Sequence, residues 1–199
     1  MNSKDNTLEY YTRNAAAFAD GTINVGFSAL QNEFVSYLAP AGRILDLGCG
    51  SGRDSKAFIQ MGFDVVAMDG SAELCRMASD FIGQEVVCST FQEYEPVGLF
   101  DGIWACASLL HLKREEIPGV IQKYGVVLVP DGVFYASFKY GDFEGERNGR
   151  FFTDMNERTF AHIIENISYL TLIKQSISED VRPGRSNEKW FNAFLRRET

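Results

Sequence analysis

The sequence predicts an α/β fold, a mainly parallel sheet with helices on both faces. Three observations predict it. Strand-like runs alternate with helical ones from residue 43 to residue 139. An apolar run over residues 44–47 passes straight into Gly48, Gly50 and Gly52, three glycines at alternate positions. The chain has 199 residues, enough for one domain of this kind with a core that needs no staple.

Residues 7–19 place Leu8, Tyr11, Ala15, Phe18 and Ala19 at helical spacing, and residues 20–24 break the pattern. A second helix over 27–38 presents Phe27, Leu30, Phe34, Val35 and Leu38 on one face, and Pro40, Ala41 and Gly42 end it. The first strand is 43–47. The glycine turn opens a helix through 55–59, closed by Gly62. The second strand, 63–68, ends at Asp69. Ser71 is suited to cap the next helix, with Leu74, Met77, Ala78 and Phe81 inward. A third strand spans 85–88, a loop 91–99, a fourth strand 101–105 and a helix 115–127.

Pro130, Asp131 and Gly132 turn into a fifth strand, 133–139. Residues 140–150 are polar and glycine-rich and read as an exposed loop or lid. A helix over 153–166 follows. Two strand runs, 167–175 and 188–197, flank a polar loop holding Arg182, Pro183, Gly184 and Arg185. A polar loop between neighbouring strand runs predicts an antiparallel hairpin on one sheet edge. The expected architecture is a Rossmann-like, doubly wound, mostly parallel seven-stranded sheet with an antiparallel C-terminal hairpin. The expected organisation is one domain over 1–199: a helical cap to residue 40, a ligand-binding core over 41–140, and a substrate-side loop, helix and hairpin over 141–199.

The composition is ordinary globular, 45% hydrophobic and 23% charged. A formal charge of −8 argues against nucleic acid as a partner, since gripping a phosphate backbone needs a basic surface. The polar opening over residues 1–6 predicts no secretory leader, and no apolar run approaches membrane-spanning length. The expected location is the cytoplasm. Cys49, Cys75, Cys88 and Cys106 form no Cys-x-x-Cys pair; Cys49, Cys88 and Cys106 lie in or beside strands and read as reduced, semi-buried thiols. The only histidines are His111 and His162, so no metal is expected.

In a doubly wound sheet, ligands sit at the carboxyl ends of the strands where strand order reverses. The glycine turn lets a ligand approach backbone closely. Asp69, ending the second strand, is suited to the two hydroxyls of a ribose. Together they imply an adenosine-containing ligand. A nicotinamide motif would place its third glycine one residue later, where Arg53 stands.

Over roughly residues 40–140 the chain resembles the class I S-adenosylmethionine (SAM) methyltransferases. The resemblance is carried by Leu45-Asp46-Leu47-Gly48-Cys49-Gly50-Ser51-Gly52, by Asp69-Gly70-Ser71, by Phe100-Asp101-Gly102-Ile103-Trp104-Ala105 with Leu109-Leu110-His111-Leu112, and by Leu128 to Phe134. It implies that Gly48, Gly50 and Gly52 run along the methionine part of SAM, with Cys49 and Arg53 in the same loop. Asp46 faces the amino group or acts through water. Asp69 binds the ribose, Gly70 and Ser71 lie beside the adenine, Thr90 and Phe91 flank it, and Ala105 and Cys106 lie under the methyl-bearing end. Tyr10 and Tyr11 sit on the first helix, from which a hydroxyl could reach the SAM carboxylate; half-buried packing is the alternative. Two departures stand out: Ser89-Thr90 replaces the family's frequent adenine-binding acid, and Asp131 replaces a glycine of the late turn.

The closer resemblance is to small bacterial methyltransferases labelled tellurite-resistance-type. It rests on Gly50 to Ser55, on Tyr135 to Gly141 with Gly149-Arg150-Phe151-Phe152-Thr153, and on Arg182-Pro183-Gly184-Arg185 with Trp190. It implies methyl transfer with S-adenosylhomocysteine (SAH) as product; the short chain and acidic charge favour a small-molecule acceptor, and a monomer or homodimer is the expected assembly. His111 is the candidate general base, the alternative being a helix-start histidine bonded to backbone. Arg147, Arg150, Arg182 and Arg185 suit an anionic acceptor, with Tyr10 beside it, or are solvated loop charges. Cys106 reads as a small buried residue and Trp190 as hairpin packing. The rival functions are a non-catalytic SAM or nucleoside binder and a nicotinamide-dependent oxidoreductase.

Overall fold

In the computed structural model, residues 3–182, 184–185 and 187–198 are described. The strands are β1 (Arg43–Leu47), β2 (Asp64–Asp69), β3 (Val87–Cys88), β4 (Phe100–Ala105), β5 (Leu128–Lys139), β6 (Glu144–Arg147), β7 (Arg150–Thr153), β8 (Leu170–Glu179) and β9 (Lys189–Arg197). Seven of them form one sheet in the order β3-β2-β1-β4-β5-β9-β8. The first five run parallel; β9 is antiparallel to both β5 and β8. The order reverses between β1 and β4, which is where such a sheet opens a crevice.

The helices are α1 (Ser3–Asp20), α2 (Ser28–Val35), α3 (Arg53–Gln60), α4 (Ala72–Ile82), α5 (Ile117–Gly125) and α6 (Glu157–Ile164). Alternate residues of the central strands feed two cores, as a sheet covered on both faces requires. Leu45, Ile103, Phe134 and Ala136 pack with Ile121 and Tyr124 of α5 and Phe160 of α6. Ile44, Val65, Val133 and Phe194 pack with Phe34 of α2 and Phe58 of α3. In the second core Trp104 stacks on Tyr135 with centroids 4.0 Å apart, and the Tyr135 hydroxyl donates to Asn192 Oδ1 at 2.8 Å. A lone polar hydroxyl inside an aromatic cluster is thereby satisfied.

Several expectations are corrected. Residues 140–150 are not an open loop: β6 and β7 pair antiparallel across Asn148 and Gly149, both at positive φ (50° and 76°). Two left-handed residues in a two-residue connection are what a tight hairpin needs, and Asn-Gly was the sequence signal for it. The helix expected over 153–166 starts only at Glu157, behind a capping box of Asn156 and Thr159. β5 begins at Leu128, not 133, with Asp131 at φ 64° and a register shift against β4. In α4 the inward face carries Leu74, Cys75, Ala78 and Ile82, while Phe81 is exposed. Cys88 is exposed. Pro183 and the first two residues lie outside the described residues. Among the described residues no helix is long and apolar enough to cross a membrane, and no group of three potential ligands is placed to hold a metal.

α2 seats on β4 at Gly102, where an added methyl would lie 2.6 Å from Phe34 Cζ and 2.8 Å from Leu38 Cδ1. Gly102→Val should therefore destabilise the fold by about 1–3 kcal/mol through overpacking. Urea denaturation checks it; an unchanged midpoint would mean that α2 is not held on the sheet as described.

Candidate functional site

The glycine turn follows directly from β1. Gly48, Gly50 and Gly52 have φ of 87°, 56° and 79°, values a side-chain-bearing residue resists. Space adds to the requirement. A methyl on Gly48 would lie 2.5 Å from Ser108 Cβ, and one on Gly52 2.9 Å from Ile82 Cγ2. The N–H groups of the turn are used inside the protein. Those of Gly48 and Cys49 both donate to Met68 O at 2.9 Å, that of Gly52 to Cys49 O at 2.9 Å, and that of Gly50 to Asp69 Oδ2 at 2.9 Å.

Asp69 is the hub. Its second oxygen accepts from the Ser71 N–H at 2.9 Å, so one carboxylate joins the turn after β1 to the start of α4. Burial raises its pKa, and the bonds from Ser71 and Gly50 pull it back. Asp46, 2% exposed, accepts from Ser55 Oγ at 2.5 Å. Burial, reinforced by the charge of Asp54, pushes its pKa up to about 8. Acidic groups therefore surround the turn, and α3 carries Asp54 in its first turn.

α1 closes over the turn. Phe18 lies against Gly50 and Leu8 against Gly70, where an added Cβ would come within 3.1 and 2.7 Å of them. Tyr11 on α1 meets His111, which ends a single 3-10 turn (Leu109–His111) after β4. The His111 Nδ1 atom lies 2.7 Å from Phe151 O, and a carbonyl only accepts, so Nδ1 carries the proton. Nε2 then accepts from the Tyr11 hydroxyl at 2.8 Å, and Tyr11 accepts from Arg150 Nη1 at 3.2 Å. Burial holds His111 down at about 4, so this neutral tautomer persists across the physiological range. Burial also raises the Tyr11 pKa.

The other end of the cavity is built from β5, β8 and β9. Arg53 forks onto Asp54 with two bonds of 2.8 Å and lies over the Phe27 ring at 4.3 Å. Asp54 also accepts from Gln31 and from the Trp104 indole, at 2.7 and 2.9 Å. Its surroundings push the thiol of the half-buried Cys106 up to about 12, so the group stays protonated near neutral pH. Asp180 accepts from Lys139, from Trp190 Nε1 at 3.1 Å, and from Arg182 through Nε at 2.9 Å and Nη2 at 2.5 Å. Burial works against its charge, but these donors, led by Arg182, hold its carboxyl well below the usual range. Arg185 faces Glu188 at 3.7 Å. Arg147 forks onto Asp154.

Many of these groups line one cavity of about 1100 Å³ at the β1–β4 switch point, at the upper end of the scale of small-ligand sites. Of the residues expected to hold a cofactor, Tyr11, Asp46, Gly48, Cys49, Gly50, Arg53, Asp69, Gly70, Thr90, Phe91 and Cys106 line it. Gly52, Ser71 and Ala105 lie behind the wall: Gly52 packs on α4, Ser71 caps it, and Ala105 is in the core. His111, Tyr10, Arg150, Arg182 and Arg185 also line the cavity; Arg147 is not among the lining residues. Lining residues that the sequence did not single out include Lys139, Asp180, Asn192 and Ser137. They lie at the ends of β5, β8 and β9, and only the sheet order brings them to the crevice.

Residues 44–132 match a family model described as a methyltransferase domain. YqeM of Bacillus subtilis (strain 168), a protein named as a methyltransferase, is 28% identical over 169 residues, covering 73% of this chain. The match spans 64% of YqeM, so the chain spans just under two thirds of that relative. Two solved structures share the fold across 98% of this chain. One is the Burkholderia thailandensis 1,6-didemethyltoxoflavin-N1-methyltransferase, with bound 1,6-didemethyltoxoflavin and SAH, at TM-score 0.74, 18% identity and 87% of its own chain. The other is the CcbJ methyltransferase of Streptomyces caelestis, at TM-score 0.75, 14% identity and 100% of its chain. The two solved structures, both under 25% identical, share this chain's fold.

The raised pKa of Asp46 gives a stability test. The folded chain holds a proton that the unfolded chain releases above about pH 4, so wild-type stability falls as pH rises toward about 8. Asp46→Asn keeps an acceptor for Ser55 and removes the titration. Between pH 5 and pH 8 it should gain on wild type by on the order of 1 kcal/mol or more in urea denaturation. Parallel pH profiles would reject the assignment.

Proposed function

We propose that this chain is an SAM-dependent methyltransferase acting on a small molecule. The observation that carries the reading is the character of the glycine turn. Its N–H groups at 48, 49, 50 and 52 are already bonded within the protein, and the acidic side chains of Asp46, Asp54 and Asp69 stand around it. A phosphate site needs the opposite, free N–H groups and a helix start without acids. That disfavours a dinucleotide such as NAD. It suits a nucleoside carrying positive charge and no phosphate.

In this reading Asp69 keeps its two backbone donors and uses its remaining lone pairs for the ribose hydroxyls. Asp46 receives the cationic end, whose positive charge draws off the proton that burial otherwise keeps there, with Ser55 fixing its orientation. Gly70, Thr90 and Phe91 flank the adenine. SAM supplies an activated methyl group, so the protein needs mainly to align an acceptor and exclude water. α1 serves the second task by closing over the turn. His111 acts as a base only once its Nε2 is released by Tyr11; an already anionic acceptor needs none. We propose further that the acceptor is small and anionic. The likeness to tellurite-resistance-type enzymes supports it at the level of sequence, and Arg150, the cavity-wall arginine bonded to a phenol in place of a carboxylate, supports it in three dimensions, whereas Arg182 and Arg185 already face Asp180 and Glu188. The net charge of −8 argues against nucleic acid as acceptor.

Calorimetry with SAM, SAH and NAD tests the reading. SAM and SAH should bind at micromolar levels and NAD should not. Asp69→Ala should weaken SAH at least tenfold, the scale of a lost bond to a charged group. Binding of NAD alone would overturn the proposal. Release of SAH from SAM across a metabolite panel separates an enzyme from a non-catalytic binder.

A further inference from the structure

The basic side chains on the cavity wall are not equivalent. Arg53 is forked onto Asp54, Lys139 reaches Asp180 and Glu188, Arg182 is forked onto Asp180, and Arg185 faces Glu188. Arg150 differs. Among the described residues no carboxylate lies within ion-pair distance of it. The acceptor bonded to its guanidinium is the neutral Tyr11 oxygen at 3.2 Å. Its Nε is buried and finds no partner at all.

Its position is nevertheless fixed. The guanidinium carbon lies 4.6 Å from the Tyr10 ring centroid and 5.0 Å from that of Phe152. Arg150 opens β7, directly after the tight Asn148–Gly149 turn, so the hairpin sets its backbone. A cation held by aromatic faces and a phenol, on a cavity wall, keeps N–H donors in hand. Leaving such a group without a counter-charge is costly in a partly desolvated site. A planar fork of this kind matches a carboxylate.

We propose that Arg150 is the carboxylate receptor of this cavity. The inference rests on the methyltransferase reading, and the carboxylate has two possible sources: the amino-acid end of the cofactor or the acceptor. The same guanidinium holds Tyr11, and Tyr11 holds His111. A carboxylate arriving at Arg150 therefore meets the residues that fasten α1 over the crevice.

The test compares SAH with 5′-methylthioadenosine, which keeps the nucleoside and thioether but lacks the carboxylate. Calorimetry is run on wild type, Arg150→Gln and Arg150→Lys, with circular dichroism and melting confirming the fold. If the cofactor is the source, Arg150→Gln weakens SAH roughly tenfold or more, with Arg150→Lys between, and methylthioadenosine changes less than twofold. If the acceptor is the source, SAH is unaffected. Benzoate and acetate then bind the SAH-saturated wild type and are lost in Arg150→Gln. Equal weakening of SAH and methylthioadenosine, or no effect on SAH together with no Arg150-dependent carboxylate binding, overturns the proposal. Failure of wild type to bind either nucleoside would instead reject the methyltransferase reading.

Discussion

One carboxylate organises the crevice. Asp69 ends β2, yet its oxygens take the N–H of Gly50, in the turn after β1, and that of Ser71, which caps α4. The turn after β1, 19 positions back along the chain, is therefore registered against the end of β2 and the start of α4 by two charge-assisted bonds in a desolvated place. The parallel pairing of β1 with β2 brings the two strand ends level, Leu47 opposite Met68, so the carboxylate has only a short reach. Met68 O completes the arrangement by accepting from both Gly48 and Cys49. The turn is thus held from the β2 side, and its outer surface is left for a ligand.

Closure over that surface comes from α1, and it depends on absent side chains. Gly50 and Gly70 leave room for Phe18 and Leu8. The glycines serve the lid as well as any ligand, which qualifies the sequence-level reading that gave them to the ligand alone. Thr22 and Thr12 add side-chain bonds to Ser51 and Ser71 from the same face, at 3.1 and 3.2 Å. On the far side the lid is fastened through Tyr11 to His111 and Arg150.

Much of the fold and part of the site were legible. β1 falls on the expected residues, and the C-terminal antiparallel pair was anticipated. Asp69 and the glycine turn were readable because they are local: an acid at a strand end, glycines where backbone must turn. The β6–β7 hairpin was missed although Asn148-Gly149 announces it, because its high polarity masked a strand signal that depends on apolar alternation. The Arg150–Tyr11–His111 chain was beyond reach. Its members lie 139 and 100 positions apart, and nothing local says that a hairpin will fold back onto the first helix. The arginines illustrate the same limit. Counted along the chain they look like a common anion site, whereas Asp180, an unremarked residue at the end of β8, takes Arg182 out of it.

The most direct measurement is a crystal structure of the protein with SAH. The account predicts the ribose diol within hydrogen-bond distance of Asp69, with the Gly50 and Ser71 bonds to that carboxylate retained and the amino-acid end directed over Asp46. A nucleoside bound elsewhere in the cavity, or an Asp69 side chain swung away from the turn to meet it, would contradict it.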